Sequence, residues 1–235
     1  MSESAPLGRP RLHLRRTDST NERAGALALA GAPHGTLVTA AEQTAGRGRQ
    51  GRRWSAPAGS ALLMSLLLRE PPPLLPLVGA VAVCDVVGDE ARVKWPNDIV
   101  FARGGRLAKL AGILIEGRPQ EGWAVLGIGV NVAVRVEELP VELRDSAASL
   151  GLSSEEIEPL LARLLAALQQ RLGEPSAEVL EAWRTRDALR GREISWARGC
   201  GRADGIDGDG RLIVALAGGG HATLDAGEVH LAAGD

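Results

Sequence analysis

Gly46-Arg47-Gly48-Arg49-Gln50-Gly51-Arg52-Arg53-Trp54-Ser55-Ala56-Pro57 is the stretch on which the fold class turns. Its first six residues spell Gly-x-Gly-x-x-Gly, the pattern of a dinucleotide-binding turn, and Gly46 to Arg53 approaches the spacing of a phosphate-binding P-loop. The first pattern requires a helix directly after the glycines, so that pyrophosphate meets the helix N-terminus. The second requires Lys followed by Ser or Thr. Two arginines, a tryptophan and a proline stand there instead, which argues against a doubly wound α/β fold. What remains is a loop with arginines at 47, 49, 52 and 53, spaced by glycines that let backbone approach a ligand closely. Guanidinium forks take carboxylate and phosphate oxygens in pairs, at about 1.5–3 kcal/mol per charge-assisted bond where water is excluded. A polyanionic ligand is the expected partner, and a merely solvated basic loop is the weaker reading.

Outward from this loop the chain reads as α+β. Ser19-Thr20-Asn21-Glu22 has capping-box spacing and opens a short helix that stops at Gly31. Thr36–Gln43 reads as a strand and Ala61–Arg69 as a buried one. Pro71–Pro73 form a turn before the apolar helix Leu74–Gly88, and Arg92–Trp95 is a strand cut by Pro96. Leu110–Glu116 and Trp123–Val132 form a hairpin pair. Ser153–Glu156 caps a helix to Leu172, and Pro175-Ser176 opens another that ends near Leu189. Beyond Gly191 come short apolar segments with turns such as Asp207-Gly208-Asp209-Gly210 before Arg211–Ala215, a small β-barrel signature. The expected architecture is a mixed or antiparallel sheet flanked by helices over 1–188, with a small barrel over 189–235.

Composition narrows the function. In 235 residues, 45% apolar and 24% charged content is that of an ordinary globular protein, and a net charge of -2 argues against a general nucleic-acid binder. Met1–Arg16 has no apolar run, and Leu74–Gly88 is interrupted by Pro76 and Asp85, so neither a signal peptide nor a membrane span is expected. A cytoplasmic protein is the expectation. Cys84 and Cys200 lack metal or disulfide spacing and read as free thiols, and the four histidines form no recognisable cluster. Lysine and asparagine are scarce: of 27 basic residues only Lys94 and Lys109 are lysines, and asparagine occurs at 21, 97 and 131 alone. In an arginine-biased chain, surviving lysines and asparagines mark positions where substitution fails.

They recur in three constellations. Lys94-Trp95-Pro96-Asn97-Asp98 puts a point charge for phosphate beside oxygen donors suited to Mg²⁺, although alone it would read as a turn with a chance charge pair. Lys109 heads the apolar run Lys109–Leu114, at the rim of a sheet. Gly127-Ile128-Gly129-Val130-Asn131 ends a strand on an asparagine, its two glycines admitting a flat ligand near the backbone.

Asp18–Asn21, Glu42–Trp54, Val93–Ile99, Lys109–Leu114 and Gly127–Asn131, in this order and spacing over roughly 17–135, resemble the ordered motifs of biotin protein ligases. The resemblance implies a catalytic domain like that of class II aminoacyl-tRNA synthetases with an SH3-like C-terminal domain. It implies formation of biotinyl-5'-AMP from biotin and ATP, with Mg²⁺, then transfer of biotin to a lysine of a biotin carboxyl carrier protein. With only sixteen residues before Thr17, the ligase-only form without a DNA-binding domain is expected, and a homodimer is compatible with it. Carried over, Ser19, Thr20 and Gln43 bond the ureido ring, with Asn21, Gly48 and Gly112 also at biotin. Arg47 and Arg49 close over biotin and adenylate, and Lys109 bridges carboxylate and α-phosphate. Arg52, Trp54, Lys94, Asn97 and Asn131 join Arg49 at ATP. Asp98 and Asn131 serve Mg²⁺, unless Asp98 orients the acceptor lysine. Lys109, Arg47, Lys94 and Asp98 form the catalytic set. Rival readings are a lipoate or octanoate ligase of the same fold, and a nucleic-acid module built on the arginine loop and Trp54.

Overall fold

The computed structural model describes residues 6–103, 106–225, 227 and 229–231. Its main sheet grows from the apolar run Ala61–Arg69, which is β3. All its residues but the last are buried, as a strand covered on both faces must be. Side chains alternate across a strand. On one face Leu66 and Leu68 join the large core, and on the other Leu67 joins a smaller cluster with Ala24, Ala28, Val38, Trp123 and Val125. The first face is covered by α2 (Leu75–Val87), α4 (Ile157–Leu172) and α5 (Ser176–Arg184), the second by α1 (Thr20–Leu29).

The remaining strands of this sheet are β1 (Arg11–Leu14), β2 (Leu37–Ala40), β4 (Ala91–Lys94), β5 (Asp98–Arg103), β6 (Arg106–Arg118) and β7 (Trp123–Asn131). Their order is β1-β2-β3-β7-β6-β5-β4, antiparallel except for the β1–β2 pair, so the sheet is mixed. The hairpin of β6 and β7 forms as the sequence indicated. β1 and β5 are additions to the sequence reading, which stopped at Pro96, whereas the chain reverses there and Asp98 pairs in register with Lys94. α5 ends at Arg184, not near Leu189, because the following residues leave the helix to bond β4: Val93 N–H donates to Arg186 O and Ala188 N–H to Val93 O. A short helix, α3 (Val141–Arg144), lies between β7 and α4.

After α5, β8 (Glu193–Trp196), β9 (Gly199–Ile206), β10 (Leu212–Ala215), β11 (His221–Leu224) and β12 (His230–Leu231) form an antiparallel sheet in the order β11-β10-β9-β8-β12. Its β9–β10 turn is closed by Asp207, whose Oδ1 accepts the N–H groups of Asp209 and Arg211, both at 2.9 Å. Ile194, Ala203, Ile206, Leu212 and Val214 belong to the same apolar cluster as α2 and α4. Trp95 Nε1 donates to Gly210 O at 3.0 Å, a further tie between the two sheets.

Candidate active site

A cavity of about 450 Å³ opens on the α1 side of the main sheet, and every residue to which the resemblance assigns a site role lines it. Its floor follows from strand parity. Trp123, Val125, Gly127, Gly129 and Asn131 alternate onto one face of β7, where β6 sets Gly112 opposite Gly129 and Leu114 opposite Gly127. Lys109 would point to the other face of β6 if the strand were regular. The register with β5 skips Leu110, pairing Ile99 with Ala111 and Val100 with Lys109. This bulge reverses the parity and brings Lys109 to the face of Gly112. A Cβ built on Gly112 would lie 3.2 Å from Lys109 Nζ.

One end of the cavity is neutral and polar, built on the first turn of α1. Helix starts leave four backbone N–H groups unpaired, and a capping box would use Ser19 and Glu22. The box does not form. Ser19 N–H donates to Asp18 Oδ1 at 2.8 Å and Thr20 N–H to Gln43 Oε1 at 2.7 Å, while Glu22 is turned to Arg47. The Ser19 N–H bond, then the Thr17 hydroxyl, holds the Asp18 carboxyl below its ordinary range. Gln43 Oε1 also accepts from Thr20 Oγ1 at 3.0 Å, so the amide nitrogen of Gln43 is left as a donor at the wall. Below them, buried Ser65 donates to Asn21 Oδ1 at 2.6 Å and lies 2.8 Å from Thr20 Oγ1. Asn21 Nδ2 donates to Glu116 Oε2 at 2.9 Å.

The other end is cationic. The Gly46–Trp54 loop is a narrow excursion closed by its own backbone, with Gly48 N–H to Arg52 O at 2.8 Å and Trp54 N–H to Gly46 O at 2.9 Å. Mutual repulsion of its arginines is relieved within the protein. Arg47 bonds Glu22 at 2.6 Å and Glu116 at 3.2 Å, Arg49 bonds Asn97 Oδ1 at 3.2 Å, and Arg53 bonds Thr44 O at 2.9 Å. Lys109 Nζ sits 2.6 Å from Asp98 Oδ1 and 5.7 Å from the centroid of the Trp54 ring, within cation–π range. The sequence reads the two floor glycines as room for a flat ligand, and in the structure part of that room holds side chains of the protein itself. A Cβ on Gly129 would fall 2.6 Å from Trp54 Cε2 and one on Gly127 would strike Asn21 Oδ1, so Gly129 admits the indole and Gly127 the carboxamide.

Residues 13–132 match the Biotin/lipoate A/B protein ligase family. The chain belongs to this family. It is 34% identical over 235 aligned residues to the biotin--[acetyl-CoA-carboxylase] ligase of Mycobacterium tuberculosis, covering 91% of this chain and 85% of that protein. It is 42% identical over 150 residues to the bifunctional ligase/repressor BirA of Bacillus spizizenii, covering 59% of this chain and 45% of that protein, so it spans less than half of that relative's length. Its fold is similar to the biotin protein ligase of Aquifex aeolicus solved with biotin and ATP, at a TM-score of 0.78 and 27% identity, covering 95% and 99% of the two chains.

Within this family member, two asparagines singled out in the sequence are committed to the scaffold. Asn97 accepts from Arg49 and donates through Nδ2 to Ile113 O at 2.7 Å, bracing the β4–β5 turn. Asn131 Nδ2 donates to Ala148 O at 2.9 Å, leaving its side-chain oxygen. Trp54 Nε1 is a buried donor with no acceptor among the described residues. No group of three His, Cys, Asp or Glu among the described residues is placed to hold a metal ion, and no described helix is long and apolar enough to cross a membrane. The sequence reading missed Ser65 and Glu116, whose signal is the one hydroxyl of β3 and the one acid of β6. It also missed the cavity wall at Leu139, Leu143, Ser146 and Ala147, which carries no motif. Position there is set by backbone: Lys109 N–H donates to Ser146 O at 2.6 Å and Ala148 N–H to Lys109 O at 2.7 Å.

Proposed function

We propose that the chain is an ATP-dependent biotin protein ligase, which joins biotin to AMP and passes the acyl group to a lysine of a biotin carboxyl carrier protein. The observation that carries this reading is one cavity with a neutral, hydrogen-bonding end at Ser19, Thr20 and Gln43 and a cationic end at Arg47, Arg49, Lys94 and Lys109. A cyclic urea bearing a carboxylate tail matches that polarity, and the names of the mycobacterial relative and the Aquifex complex support it.

Carboxylate and triphosphate repel, so fixed positive charge is the main catalytic need. Lys109 is held on Asp98 and under the Trp54 ring, from where it turns to the carboxylate and α-phosphate as they converge. The carboxylate oxygen attacks the α-phosphorus and pyrophosphate leaves. Asp98, released from Lys109, then accepts a hydrogen bond from the acceptor lysine as its amine attacks the acyl carbon and AMP departs. Arg47 and Arg49 retain the adenylate between the two steps, Gly48 lets the loop approach it, and Arg52 and Lys94 meet phosphate. Trp54 presents its ring to the nucleotide, while its Nε1 lies buried against Gly129. Asn97 serves ATP by positioning Arg49. Mg²⁺ favours oxygen ligands, water and phosphates over a full protein cage. The remaining Asp98 oxygen and Asn131 Oδ1 are the protein oxygens that would hold such an ion, which would supply positive charge to the phosphates.

The main sheet with its helices over 1–188 is the catalytic unit, of class II synthetase type, and 189–235 is an SH3-like module; the described strand orders support this division. Intact mass of an apo carrier domain incubated with chain, ATP and acid tests the function. Biotin is expected to add one biotinyl group and lipoate none. Modification by lipoate alone would move the chain to the lipoate branch.

A further inference from the structure

Seven side chains lie within hydrogen-bonding distance of one another in a line across the site: Gln43, Thr20, Ser65, Asn21, Glu116, Arg47 and Glu22, with the single hydroxyl protons of Thr20 and Ser65 directed to Gln43 and Asn21. They come from the end of the β2 segment, α1, β3, β6 and the arginine loop. The line joins the ring-recognising end of the cavity to the anion-recognising loop, and its central link is Glu116. One oxygen of this carboxylate takes Arg47 at 3.2 Å and the other takes Asn21 at 2.9 Å. Glu116 does not itself line the cavity. Register places it opposite Val125 on β7, two positions along the same face from Leu114, so the sheet fixes its backbone while its head reaches both partners.

We infer that Glu116 is a positioning residue which couples biotin's two ends. This rests on the biotin ligase reading. Arg47 has two carboxylate partners, and a substrate carboxylate must displace one of them to gain its fork. Among the described residues Glu22 bonds Arg47 alone, whereas Glu116 also fixes the Asn21 amide, which in turn orients Ser65 beside Thr20. A shift of Arg47 toward substrate therefore leaves Glu116 more strongly bound to Asn21 and tightens the ring end. The Arg47 pairs are half exposed, so their contribution to global stability is small. Their effect is on geometry.

The two glutamates give separable outcomes. In biotin-dependent ATP–pyrophosphate exchange, Glu116→Gln is expected to raise the KM for biotin about tenfold, the scale of one lost charge-assisted bond, with kcat within about twofold of the unaltered chain. Glu22→Gln is expected to leave that KM within about twofold. Both are expected to speed trypsin cleavage at Arg47, Arg49, Arg52 and Arg53, because both loosen Arg47. Glu116→Asp, which keeps the charge with a shorter reach, is expected to fall between and guards against misfolding of the glutamine variant. Equal KM effects from the two glutamine variants, or an unchanged KM in Glu116→Gln, would overturn the coupling. Absence of biotin-dependent exchange in the unaltered chain would overturn the functional reading and not the tie. Trypsin sensitivity then decides the tie alone: faster cleavage in both variants supports it and an unchanged rate overturns it.

Discussion

Lys109 shows what a single residue's environment decides. Its identity was legible in the sequence because lysine is scarce there, but its direction was not, because one skipped residue in the β5–β6 register reverses every later side chain on β6. Trp54 shows the converse. A tryptophan beside four arginines looked like a ligand platform, and the glycine pair that makes room for it lies more than fifty residues away in sequence. Only the β6–β7 register brings Gly112 and Gly129 together beneath it. Gly129→Ala is therefore expected to push the indole off the sheet. Crowding of this kind costs about 1–3 kcal/mol. The expected readouts are a lowered urea midpoint, a red-shifted tryptophan emission and a raised KM for ATP. An alanine variant with unchanged emission would show that the indole does not depend on that space.

At the scale of elements, α1 is the instructive case. The Ser-x-x-Glu spacing located its start correctly, yet the bonds that cap it come from Asp18 and Gln43 because Glu22 is taken by the loop. A charged neighbour from another segment outcompetes a local cap, and no window of local sequence contains that competitor. The consequence can be measured against pH. Asp18 has its pKa lowered in the folded chain, first by the Ser19 N–H. A depressed carboxyl contributes stability that is complete above its unfolded pKa, about 3.9, and is lost as pH falls through the folded value. The difference in unfolding free energy between the unaltered chain and Asp18→Ala is expected to shrink below about pH 4. A difference that grows on acidification would contradict the assigned bonds. β5 and the early end of α5 were illegible for a related reason: both depend on β4, the first as its hairpin partner and the second through Val93 backbone.

For the whole molecule, the α+β class, the central hairpin and the position of the turn-rich end were all legible, since apolar period and glycine-aspartate turns are local signals. How the two sheets join was not. A continuous apolar cluster runs from α2 and α4 into Ile194, Ala203, Ile206 and Leu212, and Trp95 donates to Gly210 across the junction. Calorimetry is expected to give one unfolding transition, and two resolved transitions would show that the junction contributes little. The same arrangement brings Val229, from the C-terminal part, to the wall of the cavity. The site is thus a property of the assembled chain, and the chemistry proposed for it turns on Lys109. The most direct test is ATP–pyrophosphate exchange, run with biotin, with lipoate and with no added acid, on the unaltered chain and on Lys109→Ala. The expected result is exchange that requires biotin and falls at least about a hundredfold in the variant, the scale of losing one preorganised charge at the reacting centre. Biotin-dependent exchange that survives in Lys109→Ala would contradict the central claim.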